Sequence, residues 1–356
     1  MSSSVSFEEI AEVIMGQSPS AADVNRENDG VPLLNGPTEF GSHHPKPVQF
    51  TTAPNRLAEA GDILFCVRGS TTGRMNWADQ QYSIGRGIAA IRHRTNPELN
   101  PFIKGVIDLN LDLILQSATG STFPNVTAKQ LYSLKIVPDL NQDFIAKFLG
   151  DLDRKIELNR RMNETLEQIG QALFKKYFVD NPERESWDNR TLGEFFPIRT
   201  GKKDANFSTA DGQYPFFTCS QNILKAPDFS FDGPALLLAG NGDFNIKYYR
   251  GKFEAYQRTY VLIPHNEKIL GLLYFLMSLY LNEITGGSRG SVIKFITKGM
   301  IEDYIVRLPD DDQLAEVSGH FNQLTIAIEK NKAQMKTLAT IRDSLLPKLM
   351  DGSIEL

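Results

Sequence analysis

Apolar residues in this chain follow two rhythms: a helical spacing sustained over two long stretches, and short runs bounded by Gly, Ser or Asn elsewhere. From Asn141 to Phe178 the text NQDFIAKFLGDLDRKIELNRRMNETLEQIGQALFKKYF has no proline, few glycines and many strong helix formers, and it stops at Asn181-Pro182. It predicts one long helix. From about Asp312 to Met350 the text DQLAEVSGHFNQLTIAIEKNKAQMKTLATIRDSLLPKLM predicts a second of similar length, with Pro347 kinking or ending its last turn.

The heptads of the two stretches coincide. Ile145, Leu152, Asn159, Leu166 and Leu173 recur at one seam position of the first, and Val317, Leu324, Asn331, Leu338 and Leu345 at the same position of the second. Leu149 and Ile156 fill the other seam position, as do Phe321, Ile328 and Met335. The polar interruption falls at the middle of both rows. Two antiparallel helices related by a local two-fold bring middle against middle, which places Asn159 near Asn331 as an amide pair that fixes register. A parallel pairing in that register joins them too, and the bland alternative is that both asparagines are solvated. The connection of about 130 residues between the helices suits a pseudo-symmetric ring.

The segments before the helices correspond as well. SFEEIAEVIMGQ matches TLGEFFPIRTGK, aligning Glu9 with Glu194 and Gly16 with Gly201, and DGVPLLNG matches GQYPFFTCS through Pro32 and Pro215. GDILFCVRGSTTGR parallels GPALLLAGNGDFN, and TGSTFPNVTAKQLYSLKIVPD parallels GGSRGSVIKFITKGMIEDYIVRLPD. Short strands are expected at Asp62 to Val67, Gly87 to Arg92, Ala235 to Leu238 and Tyr260 to Ile263. The order is a mixed domain over 1–140, a helix over 141–180, a second mixed domain over 181–311 and a helix over 312–356. The fold class is α+β, with two pseudo-repeated domains separated by two long antiparallel coiled-coil helices.

Composition sets the limits. With 356 residues, 41% hydrophobic and 23% charged, the chain has the make-up of a globular protein of two domains rather than a disordered or membrane-embedded one. Two separated cysteines, Cys66 and Cys219, build neither a disulfide framework nor a zinc site, and a reducing, cytoplasmic location is expected. The N-terminus lacks the basic and apolar regions of a signal peptide, and the apolar run Ile269 to Leu281 is too short for a bilayer. The net charge of -5 makes no general case for nucleic acid, so any such case rests on local clusters.

Catalytic signatures are missing: the sequence has no GxxxxGK[ST], GxGxxG after a strand, HExxH or GxSxG. Pro138-Asp139 followed by Asp153-x-Lys155 imitates a nuclease constellation, but Asp153 and Lys155 fall on the first helix rather than on strands converging at a cleft. The histidines show no ligand spacing, and no metal or cofactor is expected. The loops carry a different chemistry. In the first half Arg68, Ser70, Thr71, Thr72, Arg74 and Arg86, with Arg92, Arg94 and Lys104, gather positive charge beside hydroxyls and glycines. In the second half Lys202, Lys203, Asn206, Asn222, Asn241, Asn245, Lys247, Arg250 and Arg258 are followed by Ser288, Arg289, Ser291 and Lys294. Guanidinium forks suit phosphate and guanine edges, asparagine suits adenine, and loop hydroxyls suit single phosphate oxygens. For any one residue a solvated loop position is the simpler reading; the pattern in both halves favours DNA.

The arrangement resembles the DNA-specificity subunit of type I restriction-modification systems over essentially the whole chain. The likeness is carried by the MGQSPS opening, the GDILFCVRGSTTGR and TGSTFPNVTAKQLYSLKIVPD segments, and the helices ending LNRRMNETLEQIGQALFKKYF and NKAQMKTLATIRDSLLPKLMDG. It implies two target-recognition domains, each reading half of a bipartite site in double-stranded DNA, with the helices as a ruler. It also implies two methyltransferase subunits and motor-nuclease subunits as partners, with catalysis and the S-adenosylmethionine site belonging to them. Within that resemblance the DNA-contacting loops are nominated as Gln17 and Ser18, Arg68 to Arg74, Arg86, and Ser121, Thr122 and Asn125. In the second domain they are Lys202 and Lys203, Asn241 to Asn245, Arg258, and Ser288 to Ser291, although TGKK there departs from MGQSP. Asp310 to Asp312 should face away from DNA. The competing reading is an interaction scaffold whose coiled coil recruits proteins.

Overall fold

The computed structural model describes residues 5–118, 124–287 and 294–354. They form two compact units, one of residues 1–158 with 335–356 and the other of residues 159–334. The class is α+β, and each unit contains a mixed sheet system, a short buried helix and part of both long helices.

In the first unit an antiparallel sheet runs in the order Ala11–Met15, Ile88–His93, Ile63–Cys66, Met75–Trp77. Every residue of Ile63–Cys66 is buried, because one face of that strand meets the helical layer and the other a second sheet. That second sheet is ordered Val24–Asn25, Gln49–Thr51, Val31–Leu34, Tyr82–Ile84, Leu57–Ala58, with Val31–Leu34 and Tyr82–Ile84 parallel. Helix Asn100–Leu109 packs Phe102, Ile103, Val106 and Ile107 into the core with Ile145 and Leu149 of the first long helix and Leu349 and Met350 of the second.

In the second unit six strands lie in one sheet, ordered Ile198–Thr200, Thr259–Leu262, Phe231–Ala239, Ile246–Ala255, Tyr214–Phe217, Leu224–Ala226. Of these strand pairs Tyr214–Phe217 with Ile246–Ala255 is parallel and the others are antiparallel. Helix Leu270–Leu279 is apolar nearly all round and accordingly buried, against Phe174, Phe321 and Ile328 of the long helices.

The internal repeat has local causes that the aligned residues explain. Glu9 accepts the backbone N–H of Ser6 at 3.0 Å, and Glu194 accepts that of Thr191 at 2.8 Å, so both units open with the same capping box. Gly16 and Gly201 are glycines for one reason: a Cβ would lie 2.2 Å from the Gly85 carbonyl oxygen in one unit and 1.9 Å from that of Ala255 in the other.

The long helices span Gln142–Phe174, continued by a π turn at Lys175–Val179, and Asp311–Met350. Pro347 lies within the last turn, where it removes one hydrogen bond, and the helix continues through it to Met350. The helices run antiparallel within each unit. In the first, Arg342 donates to Asp153 at 2.7 Å while Leu149 lies beside Leu346 and Met350 around Gly105. In the second, Asn331 Nδ2 donates to Asn163 Oδ1 at 2.8 Å, and Asn159 Nδ2 donates to Gln334 Oε1 at 2.8 Å. This corrects the expected Asn159–Asn331 pair by one helical turn. The seam there is polar, with Asn159 and Asn163 both buried, so apolar periodicity could not fix its register.

One packing detail differs between the repeats. In the first unit the short helix carries Gly105, and a Cβ there would lie 2.4 Å from Met350 Cε and 2.9 Å from Leu149 Cδ1. In the second the short helix carries Phe275, and the glycine is on the long helix: a Cβ on Gly170 would lie 2.1 Å from the Phe275 ring. The glycine that lets short and long helix approach lies on the short helix in the first unit and on the long helix in the second.

Candidate nucleic-acid interface

In the first unit four loops meet at one edge of the antiparallel sheet. The loop after Ala11–Met15 is tied in by Gly16 N–H to the Ile88 carbonyl and Gln17 N–H to that of Ile84, each 2.9 Å. The turn at 85–87 is joined to the loop after Ile63–Cys66 by Val67 N–H to the Gly87 carbonyl, 2.9 Å, and the segment at 124–126 by Val126 N–H to the Val67 carbonyl, 2.9 Å. These bonds gather Gln17, Ser18, Arg86, Arg68 and Asn125. Gln17, Arg68 and Arg86 are exposed; Ser18 Oγ accepts the Arg86 N–H at 3.4 Å, and Arg68 Nε donates to Asn125 Oδ1 at 3.1 Å.

The GSTTGR loop turns at Gly69 and Gly73, whose φ angles of 92° and 91° suit glycine. It leaves Ser70 and Thr71 exposed. Thr72 holds the loop shut, its hydroxyl donating to the Gly69 carbonyl at 2.7 Å. The Arg74 guanidinium is spread over the Pro37, Phe40 and Gly41 carbonyls, nearest at 2.8 Å to Phe40. Three other cations of the first-half cluster are also drawn into the fold: Arg92 pairs with buried Asp62 at 2.5 Å, Lys104 pairs with Asp108 at 2.5 Å, and Arg94 donates to the Glu8 carbonyl at 2.7 Å. Burial pushes the Asp62 carboxyl above its ordinary range even beside Arg92. Ser121 and Thr122 lie outside the described residues.

The second unit repeats the construction. Gly201 N–H meets the Thr259 carbonyl at 3.1 Å, Gly240 N–H that of Arg258 at 2.9 Å, Ile296 N–H that of Gly240 at 3.0 Å, and Gln257 N–H that of Lys203 at 2.9 Å. Lys202, Lys203, Asn241 and Arg258 are thereby brought to one end, Lys202 and Arg258 exposed and Lys203 resting its ammonium 4.3 Å over the Phe207 ring. Asn245 is buried and structural, donating to the Cys219 carbonyl at 2.9 Å and to the Asp243 carbonyl at 2.8 Å while Lys247 donates to its Oδ1. Burial lowers the Lys247 ammonium below its ordinary range. Ser288, Arg289 and Ser291 lie outside the described residues. Asp310 caps the second long helix through Gln313 N–H, and Asp311 pairs with Arg190 at 2.6 Å.

Sequence reading missed three amides in the first unit. Asn35 and Asn55 are exposed and Gln49 half-buried beside the 85–87 turn; Asn35 Nδ2 donates to Gln49 Oε1 at 3.0 Å and Asn55 Nδ2 to the Ser18 carbonyl at 2.9 Å. Their only local signal is an asparagine between an apolar strand and Gly36-Pro37. Among the described residues no group of His, Cys, Asp and Glu could hold a metal ion, and no helix is long and apolar enough to cross a membrane.

Comparison with known proteins follows the same lines. The family of type I restriction modification DNA specificity domains matches residues 3–168 and 184–335. The type I restriction enzyme EcoDI specificity subunit of Escherichia coli is 41% identical over 172 residues, 47% of this chain and 38% of that one, so the chain spans about two fifths of that relative's length. The type I restriction enzyme MjaIX specificity subunit of Methanocaldococcus jannaschii is 25% identical over 286 residues, 66% of this chain and 64% of that one. The solved structure of a type I restriction-modification S subunit from M. genitalium covers 98% of this chain and 96% of its own, with a TM-score of 0.63 at 19% identity, a likeness of fold.

Proposed function

The chain belongs to the type I restriction-modification DNA-specificity family, and from that premise we propose that it selects the DNA target for partner subunits, each unit reading one half of a bipartite site. The observation that carries this reading is the repeated convergence of four loops in each unit, bringing Gln17, Ser18, Arg68 and Arg86 together in one and Lys202, Lys203, Asn241 and Arg258 in the other. Arginine and lysine supply phosphate and guanine contacts, and asparagine supplies an adenine contact. The chain itself contributes recognition; adenine methylation and cleavage belong to two methyltransferase subunits and to motor-nuclease subunits that assemble with it. The net charge of -5 and the surface left for partner subunits lead us to expect weak, poorly specific DNA binding by the chain alone and sequence-specific binding only with the methyltransferase present.

Mapping of N6-methyladenine in a genome expressing the chain with its methyltransferase tests the proposal. The expected result is one bipartite motif with a fixed gap. Modification at a continuous motif, or unchanged modification when this chain is omitted, overturns it. A second measurement separates reader from scaffold: affinity of the assembled complex for DNA should fall steeply with salt, with a log-log slope near the number of phosphate contacts. A flat salt response supports the scaffold.

A further inference from the structure

We infer that Asn35, oriented by Gln49, is an adenine-reading side chain of the first unit, an inference that rests on the DNA-reading function proposed above. Asn35 is exposed at the end of strand Val31–Leu34, and Gln49 begins the adjacent strand Gln49–Thr51. The bond from Asn35 Nδ2 to Gln49 Oε1, 3.0 Å, uses one of the two amide hydrogens and fixes which way the amide faces. The second N–H and Oδ1 are the donor and acceptor that N7 and N6 of adenine require from a single amide. A bond between two amides open to water adds little stability, so its effect is orientation.

The neighbouring glycines supply an independent observation. A Cβ on Gly85 would lie 2.6 Å from Asn35 Oδ1 and 3.0 Å from its Cα, and a Cβ on Gly87 would lie 2.6 Å from the Asn35 carbonyl oxygen. Neither glycine has left-handed backbone angles, so conformation does not demand them. Nor does the fold. Gly85 N–H bonds the Leu34 carbonyl at 2.8 Å as Tyr256 N–H bonds that of Phe217 at 2.9 Å, and the Gly87 carbonyl is used as the Arg258 carbonyl is. The matching turn of the second unit therefore carries Tyr256 and Arg258, opposite Thr218. In the first unit, then, the two positions that flank exposed Arg86 lack side chains, which at Gly85 would press on the Asn35 amide and at Gly87 on its backbone carbonyl, so this turn seats Asn35 beside Arg86 without displacing its amide.

The test is genome methylation mapping with the full chain and its methyltransferase subunits. Asn35→Ala should keep one half-site and the gap intact while relaxing a single position of the other by about tenfold or more, the discrimination one bidentate contact provides. Asn35→Asp, which keeps an acceptor and loses the donor, should move preference at that position toward cytosine. Gln49→Ala leaves Asn35 in place and should broaden the same position. Assembled Asn35→Ala complexes that methylate the wild-type motif overturn the inference; should that variant fail to assemble, wild-type selectivity of Gln49→Ala overturns it instead. Absence of any bipartite motif with the wild-type chain would overturn the DNA-reading function itself.

Discussion

The Asn163–Asn331 bond gives the sharpest test of how the long helices find their register in the second unit. Asn163 is 8% exposed, accepts from Asn331 at 2.8 Å and donates to the Ile328 carbonyl at 3.3 Å. Asn331→Leu strands the Asn163 oxygen in a closed seam, and leaving a buried neutral acceptor unpaired costs about 1–3 kcal/mol. Asn163→Leu strands the Asn331 donor at a half-buried site, so its cost falls toward about 1 kcal/mol. In the double variant both polar groups are gone and two leucines face each other, so the combined change should be near zero or stabilising. The coupling between the positions is therefore about 2–4 kcal/mol, or roughly 4–16 °C in midpoint for a unit of this size. A double-mutant cycle measured by urea unfolding reads it directly. Simple addition of the two single costs would show that the bond carries no register information, and that each asparagine acts alone.

Three further outcomes follow from particular contacts. Gly170→Leu should destabilise the second unit by about 1–3 kcal/mol through overpacking against Phe275, and Phe275→Ala should recover part of that loss, as calorimetry of single and double variants would show. His93 is buried and its Nδ1 accepts the Asn96 N–H at 3.1 Å, while burial holds its pKa below the ordinary value of 6.5. The unfolded chain then binds a proton that the folded chain refuses, so stability is present above pH 6.5 and is lost as pH falls below it, by at most about 1.4 kcal/mol per pH unit; His93→Gln should flatten that slope in pH-dependent unfolding. Inserting four residues, about one helical turn, between Asn159 and Glu164 should lengthen the gap of the methylated motif and leave both half-sites unchanged, and an unchanged gap in methylation mapping would remove the helices from the role of ruler.

The long helices were legible because their formers are uninterrupted, and the repeat was legible because its capping glutamates, Glu9 and Glu194, and its crowded glycines, Gly16 and Gly201, keep their positions in the text. Register was not. A one-turn shift leaves the heptad pattern intact, and the residues that decide it, Asn163 and Gln334, carry no apolar signal. Half of the candidate interface was also readable, since Arg68 and Arg86 stand beside glycine in their own loops. Arg74 looked alike but is held by carbonyls at 37–41, and Asn35 was overlooked because only the parallel pairing of Leu33 with Ser83 brings it beside the 85–87 turn. Contacts between distant segments separate these cases, and local composition does not contain them.

The exchanged glycine contact restricts how such chains could recombine. A graft that moves one recognition module onto another's scaffold carries its short helix with it, and a helix bearing phenylalanine at the position of Gly105 would arrive over Leu149 and Met350, whose side chains would have to move. Transfers that stop at the reading loops leave this contact untouched, whereas transfers of a whole module bring the short helix against an unmatched turn of long helix. Compatibility of exchanged modules therefore depends in part on a helix contact in the core as well as on the loops.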